Sequence, residues 1–239
     1  RRAGEKAYAG REHRANKGAP APYFQLNENR LKKMIFKPTI SPEELENLKV
    51  AEFSGEVIIV DKENEDYYEA LEYLSRQKIL GFDTETKPVF QANVKRNGVA
   101  LLQLSGGERA YIFRLTEIGM PESLCKILST KKILKVGAAV NEDIKGLQRY
   151  TKFIPRGFVD LQAEGAGWGI KEKSVRKMAA IIMGLRVSKS QQLSNWEAEV
   201  LTQGQISYAA IDAWVCRQMY LKLLSTPKPI LTEDGKDNT

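Results

Sequence analysis

Hydrophobic and polar residues follow two different periods along the chain. Short apolar runs predict strands at Glu56–Val60, 79–82, 99–104, 110–115, 132–136 and 158–160. Apolar residues at helical spacing predict helices that begin at Ser41, Asn64, Pro121 and Asn141, and three more near 161–168, 174–183 and 204–224. Strands that come first and then alternate with helices predict an α/β fold, with a mixed sheet flanked by helices.

Two local signals refine this outline. Ser41-Pro-Glu-Glu44 has the pattern of a capping box with proline at the first helical position, so a short helix is expected there. Gly106-Gly107 separates two predicted strands by the distance of a tight turn, so strands 99–104 and 110–115 are expected to pair antiparallel.

Composition bounds the class of protein. The chain has 239 residues, 42% hydrophobic and 28% charged, which is enough for one sizeable core. Apolar runs of membrane-spanning length are absent from the sequence, and the first residues do not have the pattern of a secretory signal. Cys125 and Cys216 are too few for a disulfide framework. We therefore expect a cytoplasmic protein with no membrane association.

The net charge of +7 is concentrated near the N-terminus. Residues 1–40 hold ten basic and three acidic side chains, which accounts for the whole net charge. The predicted organisation is a flexible basic extension at 1–40, a folded domain at 41–226 and a polar tail at 227–239. The extension either binds nucleic-acid phosphates without sequence specificity or serves only to keep the protein in solution.

The histidine content excludes several kinds of chemistry. The only histidine in the sequence is His13, in the polar N-terminal segment. Histidine-based triads and multi-histidine metal sites are therefore excluded from the folded region. Catalysis in this chain must use carboxylates, tyrosine, lysine, serine or a metal ion bound by oxygen.

Five side chains are candidates for such chemistry. Asp83 and Glu85 follow an apolar strand and are two residues apart, so they point to the same side; the alternative is a solvated pair in a loop. Tyr208 and Asp212 are one helical turn apart among apolar residues; the alternative is a surface pair. Asp143 lies in the first turn of a helix, where a favourable charge at the helix terminus is also an explanation.

Taken together, the four carboxylates indicate a site for hard cations. Oxygen donors without histidine or cysteine suit such ions, and four clustered carboxylates would repel one another without them. Two metal ions in such a cluster can activate a water and stabilise the leaving oxygen of a phosphodiester.

The order and spacing of these motifs resemble the DEDD superfamily of 3′–5′ exonucleases. The resemblance is to the subgroup with tyrosine in its third motif (DEDDy), which includes RNase D-like and Werner-type exonuclease domains. Three segments match its motifs in order: GFDTET with Asp83 and Glu85, VGAAVNEDIKGL with Asp143, and YAAID with Tyr208 and Asp212. The resemblance extends over roughly residues 55–224.

The resemblance implies a ribonuclease H-like fold with a mixed sheet of five or six strands. Strand 79–84 would be central, with 98–104 antiparallel beside it, 109–115 beyond that and 132–136 on the other side. Asp83, Glu85 and Asp212 would hold two Mg²⁺ or Mn²⁺ ions, Asp143 would help to hold the outer ion, and Tyr208 would orient the attacking water.

The implied activity is removal of nucleoside monophosphates from the 3′ end of DNA or RNA, with single-stranded 3′ ends as partners. The alternative is a catalytically weak nucleic-acid-binding module on the same fold. The sequence does not determine the oligomeric state.

Other residues near the motifs are candidates for contacts with the substrate or for support of the site. Lys87, Lys95 and Arg96 either contact substrate phosphates or form a solvated loop. For Trp196 and Trp214 we expect packing in the core rather than stacking on a base. Supporting positions near the site are expected for Gln103 and Asn141.

Overall fold

A six-stranded mixed sheet organises the folded part of the chain. The structure is a computed structural model that describes residues 36–91, 94 and 96–228. Most of the predicted basic extension, Lys95 and nearly all of the predicted polar tail lie outside the described residues. The predicted boundaries of the extension and of the tail therefore stay predictions.

The strands and their order agree with the predicted sheet. The strands are β1 Lys49–Val50, β2 Glu56–Val60, β3 Ile79–Thr86, β4 Val99–Ser105, β5 Arg109–Arg114, β6 Leu134–Gly137, β7 Phe158–Asp160 and β8 Leu185–Arg186. The large sheet has the order β2-β5-β4-β3-β6-β7, and β1 pairs separately with β8. Strand β4 is antiparallel to both β3 and β5, while the other neighbours in the sheet are parallel. The central position of β3 and the antiparallel pairing of β4 and β5 are confirmed.

Helices cover both faces of this sheet. They are α1 Pro42–Glu46, α2 Glu65–Ser75, α3 Leu115–Ile118, α4 Glu122–Ser129, α5 Val140–Leu147, α6 Leu161–Ala166, α7 Val175–Met183 and α8 Gln203–Leu224. The predicted capping box at Ser41 is present, since its hydroxyl accepts from the Glu44 amide and the Glu44 carboxylate accepts from the Ser41 amide. In the part of the chain that the structure describes, no helix has the length and apolar character needed to cross a membrane.

The two faces of the sheet differ in what packs on them. On one, which we call the apolar face, helices α2, α4 and α5 pack on buried side chains that include Phe82, Leu102, Leu104 and Phe113. On the other, the α8 face, the long helix α8 crosses the central strands. A Cβ at Gly81 of β3 would lie 1.7 Å from the backbone oxygen of Ala213 in α8, so these two backbones are in direct contact. This close approach places the middle of α8 beside the residues that follow Gly81 in β3.

Two local predictions need correction. The strand predicted at 79–82 continues to Thr86, so Asp83 and Glu85 lie within β3 rather than beyond its end. Asn141 does not cap the helix that contains Asp143: α5 begins at Val140, and its N-cap is Ala139, which has a left-handed backbone with φ of 57°. The Ala139 amide donates to Oδ1 of Asp160, 3.2 Å away. This long-range contact starts the helix two residues earlier than the local sequence suggests.

Candidate active site

Three of the predicted carboxylates converge on the α8 face. Asp83 and Glu85 project from β3 toward α8, and Asp212 projects from α8 toward β3. One carboxylate oxygen from each lies within 4.8 Å of the other two. Period-two alternation brings the first two to one side of the strand, and the contact between Gly81 and Ala213 brings the third to meet them.

The electrostatics of this group suit a site for cations. Burial is the main cause of a strongly raised Asp83 pKa, and the charges of Asp212 and Glu85 add to it. Burial also raises the pKa of Glu85 to about 8, with further contributions from Asp212 and Asp143. The pKa of Asp212 is raised to about 7 by burial and is lowered somewhat by the Tyr208 hydroxyl. Clustered carboxylate oxygens suit hard divalent ions, so this donor set fits the metal that the resemblance implies.

Asp143 reaches the site from a different direction. It lies in the first turn of α5, outside the group of three, and its carboxylate accepts a hydrogen bond from the Thr84 hydroxyl. Burial raises the Asp143 pKa to about 6, against the opposing effect of that hydrogen bond. Thr84 therefore links Asp143 to the strand that bears Asp83 and Glu85. Thr84 was not predicted as a site residue, because its only signal in the sequence is its position between the two acids.

Tyr208 lies one turn before Asp212 on α8. Burial is the largest cause of its raised pKa, followed by the negative charges of Asp212, Glu85 and Asp83. The hydroxyl therefore keeps its proton at neutral pH. The ring of Trp196 lies 5.8 Å from the Tyr208 ring, at an angle of 42°. Trp196 is fully buried, as expected for core packing, and it also supports the tyrosine.

The segment around Trp196 is fixed to the sheet by several polar contacts. Arg114 at the end of β5 donates to the backbone oxygens of Ala198 and Glu199, each at 2.6 Å. Glu197 forms an ion pair with Lys87, with a nitrogen–oxygen distance of 3.4 Å. Of the three basic residues considered for phosphate contacts, Lys87 is thus partly engaged within the protein, Arg96 is exposed, and Lys95 lies outside the described residues.

The three remaining candidates, Trp214, Asn141 and Gln103, differ in their burial and in their distance from the acids along the fold. Trp214 is partly buried and packs against Phe53, with ring centroids 5.7 Å apart. Asn141 is exposed on α5. Gln103 is fully buried in β4, and its partner across the strand pair is Asp83. Of the two supporting positions that the sequence suggested, Gln103 is buried opposite a site carboxylate, whereas Asn141 is exposed.

A six-stranded mixed sheet, with three carboxylates on its central strand and on the helix that crosses it, is the arrangement expected for the class of nucleases that the motifs resemble. A family model described as 3′-5′ exonuclease matches residues 57–226. The chain belongs to this family of 3′–5′ exonuclease domains, of the DEDD type, as the motifs predicted.

Individual relatives agree with this assignment. The chain is 31% identical over 189 residues to exonuclease 3'-5' domain-containing protein 2 of Mus musculus, covering 72% of this chain and 28% of that protein. It is 29% identical over 168 residues to DNA polymerase I of Aquifex aeolicus, covering 70% of this chain and 27% of that protein. The chain thus spans about a quarter of the length of these curated relatives.

Solved structures show the same fold. The EXO domain of Aedes aegypti Nibbler superposes with a TM-score of 0.64 at 24% identity, covering 73% of this chain and 91% of that one. RNase D of Trypanosoma brucei in complex with RNA U12 superposes with a TM-score of 0.65 at 17% identity, covering 82% of this chain and 69% of that one. The predicted α/β fold class is confirmed.

Proposed function

We propose that this domain is a metal-dependent 3′–5′ exonuclease that releases nucleoside monophosphates from nucleic acid. The observation that supports this most directly is the convergence of the Asp83, Glu85 and Asp212 oxygens within 4.8 Å, with Tyr208 one helical turn from Asp212. Membership of the 3′–5′ exonuclease family supports the polarity of cleavage.

In this proposal the carboxylates hold two Mg²⁺ or Mn²⁺ ions. Asp83, Glu85 and Asp212 are the main ligands, and Asp143 contributes from the side of α5, where Thr84 fixes its carboxylate. When bound, such ions lower the pKa of a water and stabilise the charge that develops on a phosphate.

The other groups orient the attacking water and lower the dielectric constant around the carboxylates. The Tyr208 hydroxyl, which keeps its proton, donates a hydrogen bond that orients the attacking water. Trp196 holds the tyrosine ring in place from the core side. Helix α8 closes over β3, so the carboxylates lie in a region of low dielectric, where their interaction with cations is stronger than in water.

The proposed substrate is a single-stranded 3′ end of DNA or RNA. The structural relative from Trypanosoma brucei is an RNase D in complex with RNA U12, and another relative, Brucella melitensis NrnC, was solved bound to pGG. These relatives support a nucleic-acid substrate and leave DNA and RNA as equal candidates here. A cytoplasmic location stays a prediction.

The position of a label on the substrate tests the polarity. Single-stranded RNA and DNA carrying a 5′ label should give a ladder that shortens from the 3′ end with Mg²⁺ or Mn²⁺. The same strands with a label in the 3′-terminal nucleotide should release one labelled mononucleotide at once, and chelator should stop both reactions. Retardation of the strands without any shortening, reversed by salt, would instead favour the nucleic-acid-binding module.

A further inference from the structure

Gln103 has an unusual position in the middle of β4. Its side chain is fully buried, and the strand register places it directly opposite Asp83. Neither its amide nitrogen nor its amide oxygen has a hydrogen-bond partner among the residues that the structure describes. An unpaired buried polar group costs about 1–3 kcal/mol, so a glutamine here is unfavourable for the stability of the fold alone.

The surroundings of Gln103 leave few polar groups within its reach. On the α8 face its neighbours along the sheet are Leu101, two residues earlier in β4, and Ile112, its partner in β5. Both belong to an apolar cluster with Trp196 and Ala209. Ser105, two residues later, donates its hydroxyl to the Gly106 backbone oxygen.

Among these neighbours, Asp83 is the charged residue, and it lies directly opposite Gln103 in the strand register. The Cβ atoms of directly opposed residues in an antiparallel pair are about 4.5–5.5 Å apart, and a glutamine side chain spans that distance. Carboxylates that bind metal ions are in turn held by hydrogen bonds from neighbouring groups.

We propose that Gln103 is a positioning residue for Asp83. The Gln103 Nε2 group would donate to the Asp83 carboxylate when metal is bound, and would hold that carboxylate in the orientation that binds metal. This inference rests on the proposed exonuclease function. A hydrogen bond to Asp83 accounts for the presence of a polar side chain at this fully buried position, where the described residues offer it no other partner.

The test separates metal binding from stability. Gln103→Met keeps the length of the side chain and removes both polar atoms. We expect its melting temperature in chelator to equal or exceed that of the wild type, because the unpaired amide is gone. We expect its Mn²⁺ affinity, measured by titration calorimetry or by the loss of free Mn²⁺ signal in electron paramagnetic resonance, to fall about 10–100-fold, with a similar fall in kcat.

Ser105→Ala is the matched control. It removes a fully buried polar group from the same face of β4, opposite Gly81 rather than a carboxylate. We expect Mn²⁺ affinity and kcat of the wild type in this variant. A second variant, Gln103→Asn, keeps the amide but is one methylene too short for Asp83, and we expect it also to weaken Mn²⁺ binding.

The outcomes distinguish the two proposals. If the wild type neither binds Mn²⁺ nor cleaves, the proposed function fails. If the wild type does both, and either Gln103→Met or Gln103→Asn binds Mn²⁺ with wild-type affinity, the positioning role is overturned and the exonuclease function stands. A variant that loses stability in chelator but keeps its Mn²⁺ affinity likewise assigns Gln103 a purely structural role.

Discussion

Lys135 on the apolar face and the acids with Gln103 on the α8 face differ in the partners that their buried polar groups have within the protein. On the apolar face, Lys135 is fully buried, but its ammonium donates to the backbone oxygens of Thr130 and Ile133, each at 2.8 Å, and lies 5.3 Å from the centre of the Phe158 ring. On the α8 face, burial and the charge of Asp212 raise the pKa values of Asp83 and Glu85, and Gln103 has no partner among the described residues. A buried charge that is paired within the protein serves the fold, whereas one left unpaired indicates a ligand.

This difference separates stability from function in the same domain. The apolar face contributes hydrophobic burial from aromatic and aliphatic side chains. The α8 face contains clustered carboxylates whose mutual repulsion falls when they bind protons or cations. Substitutions that remove charge from the α8 face should therefore stabilise the metal-free protein while they abolish its activity.

Asp212→Asn is expected to change activity and stability in opposite directions. Without divalent ions and above pH 7, where Asp212 is ionised, we expect a melting temperature about 3–6 °C above that of the wild type, because one of three clustered carboxylate charges is removed. The variant should lose the increase in melting temperature that Mn²⁺ gives the wild type. Differential scanning fluorimetry in chelator and in Mn²⁺ measures both. A stabilisation by Mn²⁺ equal to that of the wild type would show that Asp212 is not a ligand.

Gly81→Ala tests the contact that brings the two halves of the site together. The added methyl group meets the Ala213 backbone oxygen, and backbone cannot move aside as a flexible side chain can. We expect a loss of about 3 kcal/mol in the free energy of unfolding, measured with urea, because overpacking shifts α8. Gly98→Ala is a matched comparison, because its added Cβ would meet only the Tyr150 hydroxyl, at an ordinary contact distance of 3.7 Å. Equal losses in the two variants would contradict a role for close packing at Gly81.

On the apolar face, Lys135 predicts a dependence of stability on pH. Burial lowers its pKa to about 8 from the usual 10.5, so between these values the unfolded chain binds a proton that the folded chain does not. Stability should therefore rise with pH in this window, and below pH 8 the full cost of the buried charge is present. Relative to Lys135→Met, the wild type should gain about 2 kcal/mol between pH 8 and 9.5. Urea titrations across this range measure the difference, and Lys132→Met, which removes an exposed amine nearby, should follow the wild type.

The smallest effect is expected at the edge of the site. Ala139 has a left-handed backbone at the start of α5, which glycine adopts without the steric penalty of a Cβ. Ala139→Gly should stabilise the protein by about 0.5–1 kcal/mol in urea titrations, with little change in activity if the hydrogen bond to Asp160 is kept. A loss of stability would show that the entropy of glycine in the unfolded chain outweighs the strain.

Local patterns were sufficient to predict much of the fold. Strand β2 was predicted with the observed limits, Glu56–Val60, because an apolar run between polar residues identifies a strand without reference to the rest of the chain. The β4–β5 pairing followed from Gly106-Gly107. The predicted start of α5 was wrong because the Ala139 amide donates to Asp160, a residue 21 positions away in the sequence that a local pattern does not include.

For the site as well, some features follow from local sequence patterns and others depend on contacts that form only in the folded chain. That Asp83 and Glu85 share one side of a strand, and Tyr208 and Asp212 one side of a helix, follows from the periods of the two structures. Their convergence depends on the backbone contact of Gly81 with Ala213. The hydrogen bond from Thr84 to Asp143 and the placement of Gln103 opposite Asp83 depend on helix packing and strand register, which arise only in the folded chain.

The central claim is that the acids on the α8 face form the catalytic metal site. The most direct test is the rate of nucleotide release from 5′-labelled single-stranded RNA and DNA by Asp83→Asn, beside the wild type and Asp61→Asn. Asp61 is an exposed aspartate that serves as a matched control. The account predicts that Asp83→Asn loses at least about 1000-fold in rate with either Mg²⁺ or Mn²⁺ while Asp61→Asn keeps the wild-type rate. Cleavage by Asp83→Asn at the wild-type rate would contradict the account.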